Sequence, residues 1–150
     1  MQNVAQLIGY KHLSAGLPSQ DYGISFSVDH YQFNIVSDGC STGGSTDLGS
    51  RYLTLSLKEI LLENKELIHD PLMLEKEITS IIRKNTWQLD KKDMFATIQI
   101  LCFDGTKYKV ISIGDGCFGF KSKAGNFVLM EISYTDNTPY YALYNESSQM

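Results

Sequence analysis

Phe33-Asn34-Ile35-Val36-Ser37-Asp38-Gly39-Cys40-Ser41-Thr42-Gly43-Gly44-Ser45-Thr46 runs from a β-branched strand through a glycine-rich turn into an amphipathic helix. The Asp-Gly step puts a carboxylate at the mouth of a buried strand. A carboxylate there is costly unless a cation, a proton or good hydrogen bonds compensate it. Asp38 is therefore a candidate metal ligand. A plain strand-to-helix turn draws on the same residue types and stands as the alternative.

Upstream, Val4 to Tyr10 reads as a short strand, and Ser14 to Ser19 as a loop punctuated by Gly16 and Pro18. Tyr22 to Val28 and Tyr31 to Ser37 are strands joined by Asp29-His30, a turn short enough to force antiparallel pairing. Downstream, a helix spans Asp47 to Glu63, with Leu48, Tyr52, Leu55, Ile60 and Leu61 near helical spacing and Ser45 or Thr46 as cap. A second helix opens at Asp70-Pro71, with Leu74, Ile78, Ile81 and Ile82 on its apolar face and Arg83 and Lys84 at its end. The remainder reads as strand: Thr97 to Phe103, an Asp104-Gly105 hairpin turn, Tyr108 to Ile113, Cys117 to Lys121, Phe127 to Ile132 and Tyr140 to Tyr144. Strands, two helices, then strands make an α+β fold with mainly antiparallel sheets. Asn145 to Met150 is a polar tail.

The 150 residues, 43% hydrophobic and 20% charged, suit one compact domain. Thirteen basic residues stand against 17 acidic ones, with no basic run longer than a pair, so nucleic acid is a poor partner. Cys40, Cys102 and Cys117 form neither a disulfide framework nor a zinc ribbon, and a reducing cytoplasm is expected. No apolar run approaches the roughly 20 residues of a membrane-spanning helix, and neither secretion nor membrane insertion is expected.

Asp21, Asp38 and Asp115 each sit at the end of an expected strand beside small or turn residues. Sheets whose ends coincide would bring them together around a hard cation, Mg2+ or Mn2+. Glycine after aspartate also lets a backbone carbonyl approach such an ion. Gly39 to Thr46 follows the phosphate-cradling pattern G-x-x-x-x-G-K-[ST] except that Ser45 replaces the lysine, which removes the charge that engages the terminal phosphates. The start of the following helix still offers free amides to an anion. Cys40 is a possible nucleophile near that helix start. Cys102 and Cys117 read as packed strand residues, and His12, His30 and His69 show no ligand spacing.

Gln20-Asp21, Val36-Ser37-Asp38-Gly39-Cys40, Phe95-Ala96-Thr97 and Ser112-Ile113-Gly114-Asp115-Gly116 together resemble, in order and separation, the metal-dependent protein phosphatases of type 2C. Gly9 to Asp21 and Asn137-Thr138-Pro139-Tyr140-Tyr141 are similar to the bacterial branch. The resemblance implies an antiparallel β-sandwich flanked by helices. It also implies a binuclear Mn2+ or Mg2+ centre whose bridging water attacks phosphoserine or phosphothreonine in a phosphoprotein. On the family pattern Asp38 bridges the metals and the Gly39 carbonyl binds one. Asp21 holds metal-bound water or stands behind the direct ligands, and Asp115 serves an additional metal.

The chain departs from the family in several places. Gln20 stands where many relatives carry glutamate, no arginine precedes it, and Lys11 or His12 is the substitute for binding substrate phosphate. The glycine turn is longer than Asp-Gly-x-Gly, and the family's later Ser-Asp-Gly and Asp-Asn are missing. Asp136-Asn137 reads as a turn. The expectation is the N-terminal part of a type 2C domain, with exposed sheet edges inviting aggregation or association with a partner protein. Its function is either metal-dependent phosphatase or noncatalytic phosphatase-like binding or regulatory module.

Overall fold

The computed structural model of the chain describes residues 5, 7–135 and 140–144. Strands β1 (Tyr22–Val28) and β2 (Tyr31–Ser37) pair antiparallel, with Val28 opposite Tyr31 and Tyr22 opposite Ser37. Asp29 turns the chain at a φ of 51°, a conformation that two-residue hairpins require and that Asp tolerates. Strands β3 (Ile98–Phe103) and β4 (Tyr108–Ile113) form a second hairpin around Asp104-Gly105. There Asp104 Oδ1 accepts the amides of Thr106 and Lys107, and Gly105 adopts a φ of 92°. β2 pairs with β3, giving one antiparallel sheet in the order β1-β2-β3-β4.

Besides two short 3-10 helices, Lys65–His69 and Lys91–Met94, the elements α1 (Tyr10–Ala15), α2 (Thr46–Glu63) and α3 (Pro71–Lys84) are α-helices. The two-residue period of the strands turns Tyr31, Phe33, Ile35, Ile98, Ile100 and Cys102 inward. They join Tyr52, Leu53, Leu57 and Leu61 of α2 and Leu74, Ile78, Ile81 and Ile82 of α3 in one core. Burial of each aliphatic side chain there stabilises the fold by about 2 kcal/mol. The Asp70 carboxylate caps α3 by accepting the Met73 amide, as the Asp-Pro signal implied.

A smaller antiparallel sheet, β5 (Gly116–Lys121) and β6 (Phe127–Ile132), folds over the other face of the main sheet. Asn34, Val36, Gln99 and Leu101 share a crevice of about 210 Å3 with Cys117, Phe118 and Phe120. The fold is thus α+β with two antiparallel sheets, α2 and α3 lying on the face of the larger one away from the smaller. The outer strand β6 stays open, with Phe127 66% and Leu129 60% exposed.

Several expectations are corrected. Of Val4 to Tyr10, the described residues form no strand, and Tyr10 begins α1. Tyr140 to Tyr144 is a turn held by the Ala142 amide on the Ala96 carbonyl, not a strand. The buried face of α2 includes Leu53 and Leu57, while Leu48 is exposed. Neither Ser45 nor Thr46 caps α2 through its side chain. Cys102 is buried as expected, but Cys117 on β5 is exposed. Asp136-Asn137, the Asn137-Thr138-Pro139 segment and the tail lie outside the described residues. Among the described residues no helix is long and apolar enough to cross a membrane.

Candidate active site

Strand register brings the acidic residues to one end of the main sheet. Because Tyr22 faces Ser37, the next residues outward along the two strands are Asp21 and Asp38. The backbone of β2 continues past Ser37 against the start of β3. The Thr97 amide donates to the Asp38 carbonyl at 2.9 Å, the Asp38 amide to Thr97 Oγ1 at 3.2 Å, and the Cys40 amide to the Phe95 carbonyl at 2.8 Å. Ile113 pairs with Ile98, so β4 ends at the same edge and delivers Gly114-Asp115 there. Gln99 Nε2 donates to the Asp115 carbonyl at 2.7 Å and pins that turn. Gly39 is required by crowding, since a Cβ would sit 2.6 Å from the Gln20 carbonyl oxygen and 2.9 Å from that of Thr46.

The result is an open cleft of about 560 Å3, whose lining includes Asp21, Asp38, Gly39, Cys40, Asp115, Tyr141 and His12. The cleft walls withdraw the Asp38 carboxyl from water, Asp21 shares a hydrogen bond with it, and the charges of Asp21 and Asp115 face it. These effects all raise its pKa, to about 7. Tyr141 is pushed up by burial, by its hydrogen bond to Cys40 and by the Asp115 and Asp38 charges. Burial also acts to raise the Cys40 pKa, but hydrogen bonds from Thr42, Tyr141 and the Thr42 and Gly43 amides outweigh it, leaving the thiol below its ordinary value. Its sulfur is 3.2 Å from Thr42 Oγ1. The hydrogen-bond partners of the sulfur, Thr42 and Tyr141, are not general bases.

The donor set suits a hard divalent ion: carboxylate oxygens and a glycine carbonyl around an open cleft. Two facing carboxylates whose mutual repulsion favours a shared proton are also stabilised when a cation takes the proton's place. No group of three or more His, Cys, Asp or Glu side chains among the described residues is close enough to hold a metal. An ion here would accordingly keep much of its coordination as water, as Mg2+ does.

The glycine turn does not cradle phosphate. Asp93 Oδ1 accepts the Ser45 amide and the Lys92 carbonyl accepts the Gly44 amide, so the chain answers these amides itself. Sequence reading missed Asp93, although Asp90-x-x-Asp93 has a capping spacing that points to a helical turn. It also missed Tyr141 and set His12 among loop residues. His12 belongs to α1 and lines the cleft. His30 and His69 lie away from it, in the β1–β2 turn and a 3-10 turn.

A family model described as protein phosphatase 2C matches residues 8–142. The chain belongs to the protein phosphatase 2C family. Neither a curated protein nor a solved structure matches it.

Proposed function

We propose that the chain is a Mn2+- or Mg2+-dependent phosphatase acting on phosphoserine and phosphothreonine in proteins, related to the bacterial members of its family. It works as a single domain. The observation that carries the reading is the meeting of Asp21, Asp38 and Asp115 at one sheet end in one cleft. In this reading Asp38 is the central ligand, with the Gly39 carbonyl beside it, Asp21 on one side and Asp115 across the cleft. Bound divalent ions would supply an acidified water and positive charge against the phosphoryl oxygens. Asp38 and Asp21 hold the ions and orient what they carry, Thr97 fixes the Asp38 backbone, and His12 faces the incoming phosphate. Three free cysteines support a reducing, cytoplasmic setting.

A noncatalytic phosphatase-like module that binds a phosphoprotein is the second reading. The lack of a three-ligand group among the described residues favours it. Hydrolysis of p-nitrophenyl phosphate with Mn2+, with chelator, and by Asp38→Ala in Mn2+ separates the two. Turnover that needs both Mn2+ and Asp38 is the expected result. No turnover from a folded sample would overturn catalysis and leave the binding module.

A further inference from the structure

Gln20 directs its side chain into the glycine turn, although it also borders the cleft. Its Nε2 donates to Thr46 Oγ1 at 2.9 Å and to the Cys40 carbonyl at 3.4 Å. Thr46 Oγ1 donates in turn to the same carbonyl at 3.0 Å. The Gln20 main chain is held as well, its carbonyl accepting Ser50 Oγ at 2.7 Å. Thr46 and Ser50 are fully buried, so water cannot replace these bonds without opening the packing.

Gln20 immediately precedes Asp21, while Gly39-Cys40 immediately follows Asp38. The tether therefore joins the two backbone segments that carry the facing carboxylates. With neither an ion nor a proton between them those carboxylates repel each other, and the hydrogen bonds oppose their separation. We infer that Gln20 is a positioning residue: its amide holds Asp21 against Asp38 at a separation a divalent cation can use. The position acts through hydrogen-bond donors, which a glutamate in the same place lacks. The inference rests on the reading of Asp21 and Asp38 as a cation site.

Mn2+ titration of the full chain, followed by the electron paramagnetic resonance of the free ion, tests it. The proteins are the wild type, Asp38→Ala, Gln20→Met and Gln20→Glu, with thermal melting of each metal-free sample as a separate check of folding. Both Gln20 variants should remain folded and bind Mn2+ about tenfold more weakly, the loss typical when a group that orients a ligand is removed. Gln20→Glu is decisive because it adds a negative charge to the cleft. If charge governs this position, the ion binds more tightly; if positioning governs it, the ion binds more weakly. Equal or tighter binding by folded Gln20→Glu overturns the inference while the cation site stands. A wild type that does not bind Mn2+, or Asp38→Ala that binds as the wild type does, overturns the cation site and the inference with it.

Discussion

Oδ1 of Asp93 accepts a hydrogen bond of 2.5 Å from the amide of Ser45, the residue from which α2 departs. Its other oxygen accepts the Asp90 amide at 2.9 Å. A helix start carries unsatisfied amides and the positive end of the helix dipole, and this carboxylate answers both from a distant part of the chain. Asp93→Ala should lower the unfolding free energy by about 2 kcal/mol, read by urea denaturation. Asp93→Asn keeps one acceptor and should lose less. Equal stability of Asp93→Ala and wild type would show that water serves the amides as well.

Gly49 makes the same junction close-packed. A Cβ built on it would lie 1.8 Å from the Asp93 carbonyl oxygen, a backbone atom that cannot swing aside. Alanine in place of glycine inside a helix ordinarily gains about 1 kcal/mol. Here the sign reverses, and Gly49→Ala should destabilise by roughly 2 kcal/mol or more through overpacking. Thermal melting against wild type checks it; a rise in melting temperature would mean the loop carrying Asp93 yields easily.

Local chemistry made the architecture legible. The Asp29-His30 and Asp104-Gly105 turns fix two hairpins and their registers, and Asp70-Pro71 marks the start of α3. Register then determines part of the site, since Tyr22 opposite Ser37 carries Asp21 toward Asp38. Less legible were contacts that cross long stretches of sequence. The bond from Ser45 to Asp93 and the Tyr141 side chain beside Cys40 follow from how loops pack, which no local period encodes. Tyr140 to Tyr144 alternates little and is aromatic, so strand propensity misled where a turn against Ala96 prevails. The buried face of α2 was offset because Leu48, near its first turn, faces solvent.

The shared proton of Asp38 and Asp21 gives metal-free stability a definite pH dependence. Asp38 rises from its ordinary 3.8 to about 7 in the fold. A raised carboxyl pKa means the folded protein keeps a proton that the unfolded chain has released. This stabilisation is complete below about pH 4 and is lost as the pH climbs through about 7. Metal-free protein should therefore lose stability across that window. Asp38→Asn should flatten the profile, and Mn2+ should restore stability at the alkaline end by replacing the proton. Urea unfolding on either side of the window provides the measurement. Identical slopes for wild type and Asp38→Asn would show that Asp38 is not the group responsible.

His12 is the one basic side chain among the described residues lining the cleft. Its Nδ1 lies 3.1 Å from the Pro18 carbonyl, which accepts a hydrogen bond from Nδ1–H and fixes the ring. With Nδ1–H engaged there, Nε2 is the nitrogen free to donate to an anion when it too carries a proton. Lys11, its neighbour in sequence, is exposed and does not line the cleft. His12→Ala should raise KM for p-nitrophenyl phosphate about tenfold, as loss of a charge-assisted hydrogen bond does, with a smaller change in kcat and unchanged Mn2+ affinity. Lys11→Ala should leave KM as it is. The reverse pattern would assign phosphate binding to Lys11 and require α1 to turn about its axis when substrate binds.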